Sequence, residues 1–105
     1  MVDVDGVGNK SSGGTALFQA ANKGFVEVVR FLVEEGKADV DKVDKKNRTP
    51  INMAAYKGRL EVVQILLGKG ADCTIKDKWG DTPLGAAKAG GHAEVAAALR
   101  SHARR

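Results

Sequence analysis

Residues 49–67 read TPINMAAYKGRLEVVQILL, and this stretch decides the fold because its threonine and glycine recur at the same spacing in two other places along the chain. The opening Thr49-Pro50-Ile51 corresponds to Thr15-Ala16-Leu17 and to Thr82-Pro83-Leu84. Thr15 precedes Thr49 by 34 residues, Thr82 follows it by 33, and a glycine lies nine residues after each threonine. A period of this length predicts an array of stacked supersecondary units.

Each of these glycines is followed by a short apolar run with a glutamate in its first turn. In the second unit the run is Arg59–Leu67 with Glu61, and Glu27 and Glu94 take the same place in the other two units. A carboxylate favours a helix N-terminus, and Thr-Pro is typical of a helix start. Each unit is therefore predicted to form a helix, a glycine turn, a second helix and a polar loop.

These motifs resemble the ankyrin repeat family, whose pattern runs roughly D-x-x-G-x-T-P-L-x-x-A-A-x-x-G-H-x-E-V-V-x-x-L-L-x-x-G-A-D. The second unit matches from Asp44 through Asp72, the third from Asp77 to Leu99, and the first from Gly13 onward. The resemblance implies an all-α ankyrin-repeat solenoid in residues 15–105, with units at 15–43, 44–76 and 77–105. Residues 1–14 are rich in glycine and serine and are predicted to be a flexible N-terminal segment.

Two departures from the family pattern have structural consequences. The family often has a histidine two residues after the proline that ties neighbouring turns together. Phe18, Asn52 and Gly85 occupy that place here, so we expect a looser stack. Asn47 replaces the turn glycine of the second unit, which is tolerable because asparagine visits positive φ more readily than other non-glycine residues.

The two ends of the array differ in sequence. Asp3-Val4-Asp5 resembles Asp39-Val40-Asp41, the end of a repeat, which suggests the hypothesis that an upstream repeat exists or once existed in a longer protein. At the other end, Arg100 takes the place of Leu67 and is followed by a basic tail. A solenoid needs polar outer faces at its ends, so we expect the array to stop there.

Composition excludes several classes of protein. The chain has 105 residues, a formal net charge of +4 and 43% hydrophobic residues, and no apolar stretch approaches the length of a membrane span. The start of the chain does not resemble a secretory signal. A single cysteine allows no internal disulfide framework, which agrees with a reducing compartment. We expect a soluble monomer in the cytoplasm, with the nucleus as a second location.

No catalytic, cofactor or metal site is predicted. Nucleophilic catalysis needs a base beside the nucleophile, yet the chain offers one cysteine and two histidines. His92 lies at the family's Gly-His turn, where capping a helix is its ordinary role, and His102 belongs to the basic tail. Cys73 stands where a small apolar residue belongs, and a structural zinc site needs four ligands. No phosphate-binding glycine loop occurs. The expected function is therefore not enzymatic.

The resemblance also implies a binding surface. In ankyrin proteins the concave surface consists of the finger tips and the outward residues of each first helix, which here include Ser11, Ser12, Gly14, Asn22, Val43 and Ala89. The members that we assign to partner binding, here called the concave surface, are Lys23, Lys45, Lys46, Arg48, Tyr56, Lys57, Lys76, Lys78, Trp79 and Asp81. This surface carries seven lysine and arginine residues and one acidic residue, Asp81, that is not interpreted as a turn residue. Asp44 and Asp77 are interpreted as turn residues, because aspartate hydrogen-bonds its own backbone there.

Several interpretations of this surface remain open. It predicts a protein-interaction module that receives an acidic segment, with Trp79 as the main anchor, since tryptophan, tyrosine and arginine often dominate interface energies. Alternatively, Trp79 covers the backbone of the neighbouring finger, Tyr56 seals a finger against its helix, and the lysines only keep the protein soluble. A nucleic-acid or anionic-lipid surface and a spacer within a larger array are the other possible functions.

Overall fold

The chain is described by a computed structural model for residues 15–36 and 38–103. The predicted flexible segment at residues 1–14, with Ser11, Ser12 and Gly14, lies outside the described residues. The six helices are α1 (Ala16–Lys23), α2 (Val26–Glu34), α3 (Pro50–Lys57), α4 (Leu60–Gly68), α5 (Pro83–Ala89) and α6 (Ala93–Ala103). Those two described ranges contain no strand, and the predicted all-α architecture is confirmed.

The threonines that mark the repeat begin the first helix of each unit. The side-chain oxygen of Thr15 accepts a hydrogen bond from the backbone N–H of Phe18 at 3.0 Å. Thr49 does the same for Asn52 at 3.1 Å, and Thr82 for the N–H of residue 85 at 3.3 Å. These bonds satisfy N–H groups that have no partner within the helix, so the recurring threonine is a helix cap in all three units.

The glycine turn between the two helices of a unit is covered by a side chain of the following unit. Gly58 adopts φ +75°, and the ring of His92 lies so close that a Cβ atom on Gly58 would meet His92 Nδ1 at 2.5 Å. In the preceding unit, the side chain of Arg59 covers Gly24 in the same way, and its Nε donates to the carbonyl oxygen of Asn22 at 3.2 Å. His92 therefore packs on the preceding turn, in addition to supplying the carbonyl that begins α6.

The helices stack in two layers. The first helices contact one another in the order α1, α3, α5, and the second helices in the order α2, α4, α6. Between the layers lies a continuous apolar core with fully buried Leu17, Val29, Ile51 and Val63. The alanine pairs of the first helices are buried where neighbouring helices approach closely, as at Ala54 and Ala55. The described part of the chain is therefore a short solenoid.

The expected looseness of this stack is not observed at either internal boundary. Asn52 is buried and donates from Nδ2 to the carbonyl oxygen of Asp81 in the next unit at 3.3 Å. Phe18 is also buried, and the guanidinium of Arg48 lies 5.3 Å from the centroid of its ring. An amide donor and an aromatic face thus provide the contacts between units for which the family often uses histidine.

The two end faces of the stack differ in polarity. On the outer side of α2 the side chains of Phe25, Val28 and Phe31 are exposed, whereas Val62, which corresponds to Val28 in the second unit, is covered by the preceding unit. At the opposite end Lys88 and Arg100 are exposed at positions that hold buried Ala55 and Leu67 in the second unit. Among the described residues, the outer face at α5 and α6 therefore carries charged side chains, and the outer face of α2 exposes apolar ones.

Candidate partner-binding surface

Two loops of the same construction form the finger tips. In the second unit Asp44 Oδ1 accepts the backbone N–H groups of Lys46 and Arg48, both at 2.9 Å. In the third unit Asp77 Oδ1 accepts those of Trp79 and Asp81, again at 2.9 Å. Both aspartates are therefore turn residues, as predicted.

The residue before the last position of each turn has a positive φ. Asn47 adopts φ 61° in the second unit, where Gly80 adopts φ 85° in the third. Asn47 thus takes the place of the turn glycine at positive φ, as predicted, because asparagine tolerates this region of backbone space.

Two hydrogen bonds join the neighbouring fingers. The N–H of Lys78 donates to the carbonyl oxygen of Lys46 at 2.9 Å. The side-chain amide of Asn47 donates to the carbonyl oxygen of Lys76 at 2.6 Å. These bonds fix the relative position of the two tips, and the residues on them form one surface.

Trp79 is the more exposed of the two aromatic side chains on this surface, with 59% of its area exposed. Lys46 Nζ lies 5.8 Å from the centroid of its ring, and Lys78 Nζ lies 5.5 Å from it. Both distances are within the range of a cation–π interaction. The ring thus contacts the neighbouring finger through Lys46 and still offers more than half of its area to solvent.

A pocket of about 270 Å³ separates Trp79 from Tyr56, which is 48% exposed. Helices α3 and α5 form its base, and the turn of the third unit forms one wall. Its lining consists of Arg48, Asn52, Met53, Tyr56, Asp77, Trp79, Asp81, Ala86 and Ala89. The pocket therefore joins both predicted aromatic residues with two predicted charged residues.

The remaining predicted site residues are distributed along the same chain segments but do not line this pocket. Lys46 and Lys78 lie at the Trp79 ring, as described above. The side chains of Lys23, Lys45, Lys57 and Lys76 are exposed to solvent.

The charge of Arg48 is not free to attract a partner, contrary to the prediction for the concave surface. Its guanidinium forms an ion pair with Asp44, with Nη2 at 2.7 Å and Nε at 2.9 Å from Oδ2. The Asp44 side chain is 1% exposed, and that of Arg48 is 21% exposed. The sequence predicts Arg48 as one of the unopposed cations, but its charge is compensated by Asp44 within its own turn.

Sequence reasoning assigned no binding role to Met53 or Ala86, which line the pocket. Both are buried on the first helices and were indistinguishable from core residues by their spacing. A signal was nevertheless present, because Met53 and Tyr56 of the second unit correspond to Ala86 and Ala89 of the third. Because the third unit has small side chains where the second unit has large ones, the correspondence indicates unfilled space between these two units.

The single cysteine of the chain lies in a finger and packs against the core. Cys73 is half-buried against the core. Burial raises the pKa of its thiol above the ordinary value of 9.0, and the charges of Asp72 and Asp41 raise that pKa further. The thiol is therefore protonated at neutral pH and is a weak nucleophile.

Across residues 15–36 and 38–103, the acidic, histidine and cysteine side chains form no group of three that could hold a metal ion. Within the same ranges no helix combines the length and the hydropathy needed to cross a membrane.

Comparison with known proteins identifies the same repeat. The model of the family described as "Ankyrin repeats (3 copies)" matches residues 2–77. This match includes the first two predicted units. The third unit lies beyond it, although α5 and α6 follow the same construction.

Three curated relatives illustrate where such repeats occur. "Probable 26S proteasome regulatory subunit p28" of Saccharomyces cerevisiae is 40% identical over 85% of this chain and 39% of its own length. "Protein phosphatase 1 regulatory subunit 12A" of Mus musculus is 40% identical over 75% of the chain and 8% of its own length. "Serine/threonine-protein kinase 12" of Arabidopsis thaliana is 36% identical over 73% of the chain and 17% of its own length.

The chain thus spans less than two fifths of the length of each of these relatives. The shared part is the repeat array, and ankyrin repeats are in general non-catalytic modules that bind other proteins. The match to the family model, the relatives and the stacked helix pairs agree, and this chain belongs to the ankyrin repeat family.

Proposed function

We propose that this chain is a non-enzymatic protein-interaction module whose concave surface receives an acidic segment of another protein. The observation that carries the proposal is the exposed Trp79 ring with the ammonium groups of Lys46 and Lys78 beside it. In this proposal the aromatic ring supplies contact area, and the two cations attract and orient carboxylates. The module is proposed to act as a monomer in the cytoplasm or the nucleus.

The relatives favour a role in binding over an activity of the repeats themselves. Two of them are named as regulatory subunits, one of the proteasome and one of a protein phosphatase. The kinase relative shares only 17% of its length with this chain, so its catalytic activity is not carried over. A regulatory contact made by the repeats is the function that these likenesses support best.

A binding titration tests the proposal. The chain contains one tryptophan, so its fluorescence reports directly on the concave surface. A short Glu/Ser peptide should change this fluorescence, and the matched Gln/Ser peptide should not. Because the attraction is between exposed charges, the affinity for the Glu/Ser peptide should fall as the salt concentration rises.

Charge-reversal variants locate the binding site. The double variant Lys46→Glu/Lys78→Glu should weaken binding of the Glu/Ser peptide about tenfold or more, because like charges then face each other. Lys42→Glu/Lys69→Glu carries the same change of net charge on two exposed lysines outside the concave surface, and it should bind like the parent. Equal losses in both variants would mean that only net charge matters.

The alternative functions are outcomes of the same titration. Binding of single-stranded oligonucleotides or of phosphatidylserine vesicles without binding of any acidic peptide would identify a nucleic-acid or lipid surface and overturn the proposal. The absence of binding to all three probes would favour a spacer within a larger array.

A further inference from the structure

We propose that the partner segment carries a large apolar side chain next to its acidic residues, and that this side chain enters the pocket between Tyr56 and Trp79. This inference rests on the proposed function and names the chemistry of its partner. It starts from the origin of the pocket, which lies in the difference between two neighbouring units.

The pocket exists because the third unit has small residues where the second unit has large ones. Met53 of α3 corresponds to Ala86 of α5, and Tyr56 corresponds to Ala89. The larger pair fills the space beside its own helix, and the alanines leave about 270 Å³ open next to it. Met53 and Ala86 are nearly fully buried, so the floor of the pocket is apolar.

Most polar groups around this pocket already have partners within the protein. Arg48 is paired with Asp44, and Asp77 accepts two backbone N–H groups of its turn. The amide of Asn52 donates to the carbonyl oxygen of Asp81. A polar ligand group would have to compete with these bonds, whereas an apolar side chain gains from leaving water.

The charges place the acidic residues of the segment outside the pocket. The carboxylates of Asp77 and Asp81 line its wall and oppose the entry of another carboxylate. The ammonium groups of Lys46 and Lys78 lie at the Trp79 ring and attract carboxylates there. A cationic side chain would be attracted by the two carboxylates and repelled by the two ammonium groups, so these charges give it no net advantage. An apolar residue beside acidic residues is therefore the segment that fits this arrangement.

Three Glu/Ser peptides that differ only at a central residue test the inference. With leucine at the centre, the affinity for the parent protein should be about tenfold higher than with alanine, because the additional methyl and methylene groups are buried. With lysine at the centre, the affinity should be no higher than with alanine. Trp79 fluorescence and the anisotropy of labelled peptide provide independent readouts.

A matched pair of protein variants assigns the effect to this pocket. Ala89 and Ala97 are both exposed helix residues, and only Ala89 lines the pocket. Ala89→Leu should abolish the preference for the leucine peptide, so that the leucine and alanine peptides bind this variant with equal affinity. Ala97→Leu should preserve the preference. Circular dichroism verifies that both variants retain their helices.

The possible results separate this inference from the proposed function. If the leucine and alanine peptides bind equally well, the inference is wrong and the proposed function stands. If the lysine peptide binds best, or if the leucine preference survives in Ala89→Leu, the inference is also wrong. If none of the acidic peptides binds, the proposed function itself fails.

Discussion

At the scale of single residues, the two finger turns show how one substitution changes the role of a loop. Asp44 and Asp77 make the same pair of bonds to backbone N–H groups. Asp44 also holds the guanidinium of Arg48, whereas the position equivalent to Arg48 in the third unit is Asp81. The second turn is therefore closed by a partly buried ion pair, and the third turn presents a carboxylate to the pocket.

The two turns should differ in their contribution to stability. We expect Asp44→Ala to lower the free energy of unfolding by about 2–3 kcal/mol, because it leaves Arg48 and two N–H groups without their acceptor. Asp77→Ala removes only the two backbone bonds and should cost about 1–2 kcal/mol. Urea denaturation followed by far-UV circular dichroism measures both values. Equal losses would show that the ion pair adds nothing to the turn.

At the scale of the helix pair, a turn of one unit and the helix start of the next unit form one contact. Gly58 and Gly91 have the same φ of 75°. The ring of His92 covers Gly58, whereas no atom lies within 4 Å of the position that a Cβ atom on Gly91 would occupy. Gly91 is therefore a natural control for the backbone strain at Gly58.

Alanine substitutions should separate strain from packing at these turns. Gly91→Ala should cost about 1 kcal/mol, from placing an L-residue in the left-handed region. Gly58→Ala should cost about 1–2 kcal/mol more, because the new Cβ atom displaces the His92 ring. In a His92→Ala background the two substitutions should cost the same. If Gly58→Ala and Gly91→Ala already agree in the parent protein, the ring moves aside without loss.

At the scale of the whole molecule, the described residues form a solenoid with a covered interior and with apolar side chains exposed on the outer face of α2. Val28 is 46% exposed on the open side of α2, and Val62 is 1% exposed at the matching position of α4. In a linear array each unit is stabilised only by its neighbours, so the same residue type has a different energetic role in the two places.

The exposure of this end can be tested by a pair of conservative substitutions. Val28→Thr should change the free energy of unfolding by less than about 0.5 kcal/mol, since the new hydroxyl remains in water. Val62→Thr should lower the free energy of unfolding by about 1–3 kcal/mol, because the new hydroxyl is buried without a hydrogen-bond partner. Thermal and urea unfolding measure the difference. Similar losses at both positions would mean that another element covers the α2 side in solution.

The amino-acid sequence alone indicated two helices in each unit and the residue at which the first helix of each unit begins. Threonine caps, glycine or asparagine at positive φ and a period of 33 or 34 residues act over a few neighbouring positions, so they can be recognised without coordinates. The sequence also indicated that Tyr56 and Trp79 belong to one surface, through the family resemblance.

Only the tertiary structure decided how the units meet. The bond from Asn52 to Asp81, the stacking of Arg48 on Phe18 and the pocket beside Trp79 each join residues of different units. Their existence depends on the distance and rotation between successive helix pairs, and on the rotamers of long side chains. Local sequence patterns do not give these quantities. The change from Met53 and Tyr56 to Ala86 and Ala89 indicates space between the units, but the volume and the lining of the pocket depend on how the units are placed.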